Sequence, residues 1–139
     1  MPCHQDKERE EEIMEEACMN DIEKHMFDYD VKSFCDYLDI VQTHIYHMNK
    51  AKGFWDTERN KGEQIALIHS ELSEMLEGLR HGNPPDDKIP EFTSEEAELA
   101  DVIVRALDYA GGHGINLSGA LMAKLYYNMS RPAKHGKSF

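Results

Sequence analysis

Apolar residues in this chain recur at spacings of three and four, and no stretch alternates with period two. That pattern constrains the fold more than any other feature, because it is the signature of helices that bury one face. Val31, Phe34, Cys35, Leu38, Val41, Ile45 and Met48 predict an amphipathic helix over about 31–51, which Gly53 can end. Ile65, Ile68, Leu72, Met75 and Leu79 predict a second over about 61–81, stopped by His81-Gly82-Asn83-Pro84-Pro85. Thr93 with Glu96 fits a capping box, so a third helix is expected from there to about Ala110, ending at Gly111-Gly112. Asn116 can cap a fourth over about 117–130, closed by Arg131-Pro132. Residues 8–27 read as an additional, weaker helix. The expected class is all-α, a bundle of four or five helices.

Charge narrows the functions available. The 139 residues contain 15 Lys and Arg against 27 Asp and Glu, a net charge of −12. Such a surface repels nucleic-acid phosphate and anionic lipid, so neither a nucleic-acid polymer nor a membrane is an expected partner. No apolar run reaches the ~20 residues of a membrane-spanning helix, and the charged N-terminus lacks the apolar stretch of a signal peptide. Three cysteines, Cys3, Cys18 and Cys35, form no metal-type spacing and point to a reducing, cytoplasmic location, with Cys35 a small core residue.

The charge is also partitioned. Residues 1–30 hold eleven acids and three bases, and read as an acidic N-terminal extension preceding a domain at 31–139. Residues 122–139 hold four bases, Lys124, Arg131, Lys134 and Lys137, and no acid. Those cations can complement a helix C-terminus or capture an anionic ligand.

The acids carry the chemistry. On the second helix Glu74 lies ~60° to one side of Glu71, and the apolar stripe centres ~90° to the other. Glu71 is therefore expected at the edge of the core with Glu74 beside it. Glu98 and Asp101 repeat the arrangement on the third helix, bordered by Leu99 and Val102. One such pair is ordinary in a chain this acidic; two pairs beside apolar stripes on consecutive helices can converge. Four carboxylates in one space cannot all stay ionised unaided. A divalent cation relieves the repulsion, and hard oxygen ligands select Mg²⁺ or Mn²⁺. His44 and His47 lack a third ligand nearby, no Glu-x-x-His exists for a di-iron site, and no P-loop is present.

Glu71-Leu72-Ser73-Glu74 and, after 23 intervening residues, Glu98-Leu99-Ala100-Asp101 resemble the E-x-x-E … E-x-x-D signature of MazG-like all-α nucleoside triphosphate pyrophosphohydrolases. Gly53-Phe54-Trp55, the stretch Asn60 to Gly78, and Lys124 to Phe139 with Tyr127-Asn128, Arg131-Pro132 and His135-Gly136-Lys137 are similar to the same family. The likeness spans about residues 34–139. It implies Mg²⁺-dependent cleavage of a nucleoside or deoxynucleoside triphosphate between the α and β phosphates, by water activated by the cation, giving monophosphate and pyrophosphate. It implies Glu71, Glu74, Glu98 and Asp101 as metal-holding catalytic residues, and a homodimer or homotetramer in which short helices complete one another's apolar faces.

For nucleotide binding the resemblance points to Lys124, Asn128 and Arg131, which share a helix face, and to Trp55, Asn60 and Lys61. Each has a plainer reading beside it. Lys124 and Arg131 can simply cap the last helix, Trp55 can be a packing anchor rather than a base-stacking surface, and Asn60 can be the N-cap of the second helix. A dUTP- or dCTP-restricted diphosphatase and a non-catalytic helical interaction module are the rival functions.

Overall fold

A computed structural model describes the backbone of residues 4–131 and the side chains of residues 28–131. The expectations resting on Pro132, Lys134, His135, Gly136 and Lys137 lie outside the described residues. The described chain is all-helical: α1 (His4–Ala51), α2 (Lys61–Arg80), α3 (Ser94–Gly112) and α4 (Leu117–Met129). An isolated bridge between Pro85 and Thr93 is the one β-type pairing among these residues. No helix among them is long and apolar enough to cross a membrane.

The expected extra helix over 8–27 is not a separate element. It runs unbroken into the 31–51 helix as the 48-residue α1. The reason is compositional, since no Gly or Pro interrupts the sequence between Pro2 and Gly53.

Three helices end in the same way. Gly53, Gly82 and Gly114 have φ of 86°, 85° and 63°, the left-handed region open to residues without a Cβ. Each allows the following amide to reach back to the helix: Phe54 N–H to Asn49 O at 3.1 Å, Asn83 N–H to Gly78 O at 2.8 Å, and Ile115 N–H to Ala110 O at 2.9 Å. These are Schellman closures. For α3 this moves the end from the expected position. Gly111 and Gly112 stay helical, and Gly114 makes the turn.

The chain divides into two compact units. One comprises Leu38–Leu117, and the other comprises the remaining residues on either side.

Within the first unit α2 and α3 form an antiparallel hairpin. Its register is read from three rungs. Gly78 meets Ser94 so closely that a Cβ there would lie 2.2 Å from the Ser94 hydroxyl. Glu71 pairs with Arg105, and Gln64 Oε1 accepts from His113 Nε2 at 2.7 Å. The final stretch of α1 lies along the end of α3, where Gly111 admits the Tyr46 side chain and the Gln42 carbonyl.

Both hairpin helices have side-chain N-caps. Asn60 Oδ1 accepts from Glu63 N–H at 3.1 Å, and Thr93 with Glu96 forms the expected capping box. Between the helices, Asn83 Oδ1 accepts from Glu95 N–H at 2.9 Å and Ser94 N–H donates to Pro84 O at 2.8 Å, so both ends of the connection are fixed.

The core is thin. Among the residues with described side chains, the buried apolar ones are Val31, Cys35, Ala97, Leu107 and Ala110. The α2 stripe expected to face inward is divided: Ile68 and Met75 are half-buried, while Ile65, Leu72 and Leu79 are exposed, joined by Leu76 at 48%. On α3, Leu99 and Ile103 are exposed as well. The sides of the helices that meet bury Gln64, Glu71 and Asp108 instead.

In the second unit the buried Cys35 Sγ donates to Ser118 O at 3.5 Å, and the Tyr126 hydroxyl donates to Asp28. Cys35 is thus the core residue expected from its place on the apolar stripe.

Candidate metal centre

Hairpin register puts the two carboxylate pairs opposite one another. Glu71 stands at mid-α2, level with the segment of α3 that runs from Glu98 to Arg105. Glu71, Glu74 and Glu98 each offer an oxygen, and these oxygens all lie within 4.8 Å of one another. Among the described residues this is the one such group of His, Cys, Asp or Glu, and His44 and His47 join none. Glu71 is only 4% exposed, Glu98 half-buried, and Glu74 open to solvent. A carboxylate so poor in water depends on a partner for its charge.

Asp101 is exposed and stands outside the group of three, yet its charge is felt there. Burial lifts the Glu98 carboxyl above its ordinary value, its hydrogen bond with Glu71 lifts it further, and the charges of Glu74, Glu71 and Asp101 add to the same effect. The cluster therefore holds an excess of negative charge, which disfavours ionisation of Glu98. A hard divalent cation fits this donor set, which is all carboxylate oxygen and contains no nitrogen or sulfur.

Positive charge stands next to the acids. The Arg105 Nε–H donates to Glu71 Oε1. Arg59 Nη1 lies 3.6 Å from Asp108 Oδ2, and Asp108 Oδ1 accepts from the Trp55 indole N–H at 3.0 Å. Asp108 is 6% exposed, so this buried carboxylate fixes both Arg59 and Trp55. Arg59, Asp101, Arg105 and Asp108 together line a cleft of about 260 Å³.

Trp55 packs against its neighbours and also lines an open cleft. Its ring lies edge-on to Tyr46 and His113, with Arg59 5.4 Å from the ring centre. Gly112 gives it room, since a Cβ there would sit 2.0 Å from the indole. A second cleft, open to solvent, runs past Trp55, Arg59, Asn60, Lys61 and His113. Burial lowers the His113 imidazole below its ordinary value, and the charges of Lys61 and Arg59 lower it further. Asn60 is the N-cap of α2, as its plainer reading had it.

Lys124, Asn128 and Arg131 belong to the other unit. There the Lys124 ammonium and the Arg131 guanidinium lie 5.5 and 5.6 Å from the centre of the exposed Tyr127 ring. Asn128 is exposed.

Arg59, Arg105, Asp108 and His113 were not singled out from the sequence. For two of them a signal existed. Arg105 follows Asp101 by four residues and Asp108 follows it by seven, the spacings that continue one helix face. Searches against models of protein families, curated proteins and solved structures match nothing.

Proposed function

We propose that the chain is a divalent-cation-dependent nucleoside triphosphate pyrophosphohydrolase of MazG-like type, releasing pyrophosphate and a monophosphate. One observation carries this reading: Glu71 and Glu74, three residues apart on α2, meet Glu98 of the antiparallel α3 across the hairpin, with three oxygens within 4.8 Å. The E-x-x-E and E-x-x-D pattern supports the same assignment.

Glu71, Glu74, Glu98 and Asp101 are the residues to hold Mg²⁺, with Mn²⁺ as a substitute. Bound there, the cation would screen the phosphates from the acidic protein and lower the pKa of a water near the α-phosphorus. The remaining work falls to the chain. Glu71, buried and fixed by the hairpin, sets the position of the group. Arg59, held by Asp108, presents positive charge along the cleft where negative charge builds up on a leaving pyrophosphate. Lys61, at the mouth of the second cleft, is suited to the outer phosphates. Lys124, Asn128 and Arg131 remain proposed nucleotide contacts.

We further propose that the chain works as a homodimer or as a tetramer built from dimers. Ile65, Leu72, Leu76 and Leu79 on α2, and Leu99 and Ile103 on α3, leave apolar surface open beside the acids. A second copy is the expected cover.

The test is a panel of ribo- and deoxyribonucleoside triphosphates with Mg²⁺, scored for pyrophosphate. Activity that disappears with EDTA, and in Glu71→Ala, Glu98→Gln and Asp101→Asn, supports the assignment. Release from no nucleotide refutes it in favour of a non-catalytic helical module, and full activity in Glu71→Ala refutes the assignment of the acids. Selectivity within the panel decides between a broad enzyme and one restricted to dUTP or dCTP. Sedimentation of wild type against Leu76→Glu tests the assembly.

A further inference from the structure

Arg105 is placed to do more than neutralise a neighbour. It lies on α3 four residues after Asp101 and seven after Glu98, on the face that carries the acids. Its ion pair with Glu71 is lopsided. The Glu71 side chain is 5% exposed, whereas that of Arg105 is 42% exposed. The carboxylate is buried in the hairpin, whereas the arginine side chain reaches it from the solvent side. That side is also defined, because Arg105 lines the cleft that it shares with Arg59 and Asp101. A guanidinium on Glu71 and a divalent cation on the same carboxylate repel one another at this range. Planar guanidinium groups also match phosphate oxygens as well as they match carboxylates.

Building on the metal-dependent reading above, we propose that Arg105 is an exchangeable counter-ion. It holds Glu71 in the cation-free protein, yields Glu71 to the incoming cation, and then binds a phosphate oxygen of the triphosphate in the cleft. Cation and triphosphate thereby assist each other's binding, because each satisfies one half of a pair that the other has opened. Arg105 is thus both a guard on the empty site and a substrate contact in the filled one.

The two roles give a removal variant effects of opposite sign, which a merely structural residue does not. The probes are free Mn²⁺, followed by its electron paramagnetic resonance signal, and the Mn²⁺ complexes of α,β-imido-dUTP and α,β-imido-dGTP, followed by calorimetry on the full chain. In Arg105→Gln, free Mn²⁺ binds about tenfold tighter than in wild type, while the Mn²⁺–nucleotide complex that wild type accepts binds about tenfold weaker. Arg105→Lys keeps the charge without the planar fork. It leaves free Mn²⁺ affinity unchanged and weakens the complex by about threefold. Equal affinities in wild type and Arg105→Gln, or shifts of both ligands in one direction, overturn the exchange and leave the metal site standing. In Arg105→Lys, an unweakened complex does the same. Failure of the wild type to take up Mn²⁺ overturns the metal reading, and the exchange with it.

Discussion

Gly112→Ala is a one-methyl change with two opposed effects, and the structure decides which wins. Alanine is the better helix former, and at an interior position it gains about 1 kcal/mol over glycine. Gly112 is the last residue of α3, so the gain there is smaller. Against it, the new Cβ would lie 2.0 and 2.1 Å from two carbons of the Trp55 indole. Neither the helix backbone nor the ring can absorb such an overlap by small shifts, so Trp55 must move. Overpacking of this kind costs about 1–3 kcal/mol. Moving the indole also breaks its bond to the buried Asp108, a charge-assisted contact worth about 1.5–3 kcal/mol. The net expectation is a loss of about 2–5 kcal/mol, and a fall in melting temperature on the order of 10 °C for a chain of this size. Trp55 is the only tryptophan, so its fluorescence reports the displacement directly: the emission of folded Gly112→Ala should shift to the red. A variant that melts at or above wild type with unchanged emission would refute the close packing of Trp55 on Gly112.

Four further outcomes are expected. Mg²⁺ at millimolar concentration should raise the melting temperature of wild type but not of Glu71→Ala, since a ligand of the folded state alone stabilises it; equal shifts in both would place the ion elsewhere. Without cation, the raised Glu98 carboxyl favours the protonated folded state, so its contribution is complete below the ordinary value of 4.5 and is lost as pH rises through the raised one. Glu98→Gln should flatten that part of the stability profile, and an unchanged slope would count against the crowding of the four acids. His113 has the opposite sign: its value is lowered, so its contribution is complete above 6.5 and is lost as pH falls toward the lowered value. His113→Gln should remove that acid sensitivity in a urea titration at pH 5.5 and 7.5. Thr93→Ala removes a two-way cap and should cost about 1 kcal/mol by denaturant unfolding.

Local features were legible in the sequence because local physics sets them. Gly53 and Gly82 stop helices by adopting a backbone that other residues resist, and the Thr93–Glu96 box is complete within four residues. The burial of Glu71 does not follow from its angle to the α2 stripe, because Leu72 and Leu79 of that stripe are exposed while Glu71 is 4% exposed. What the sequence hid depends on partners distant in the chain. The outward turn of Ile65, Leu72 and Leu79 follows from α3 packing on the Gln64 and Glu71 side of α2, which the period of α2 alone does not specify. Asp108 reads as an ordinary surface acid until Trp55 and Arg59, about fifty residues earlier, are folded onto it. Gly111 and Gly112 read as a terminator, and their actual use, giving room to Tyr46 and Trp55, depends on the same long-range packing.

The connection between α2 and α3 is built in two parts with different tolerances. Asn83, Pro84, Thr93, Ser94 and Glu95 tie its ends together. Residues 86–92 close on themselves, with Asp86 N–H donating to Phe92 O and the Asp86 carboxylate accepting from the amides of Lys88 and Ile89. A slip of one residue at the tied ends turns α3 by ~100° and carries Glu98 away from Glu71. A change of length within 86–92 is absorbed before it reaches either helix. That short segment is accordingly a natural port for an inserted tag or binding peptide, and the spacing of the acids need not register the addition.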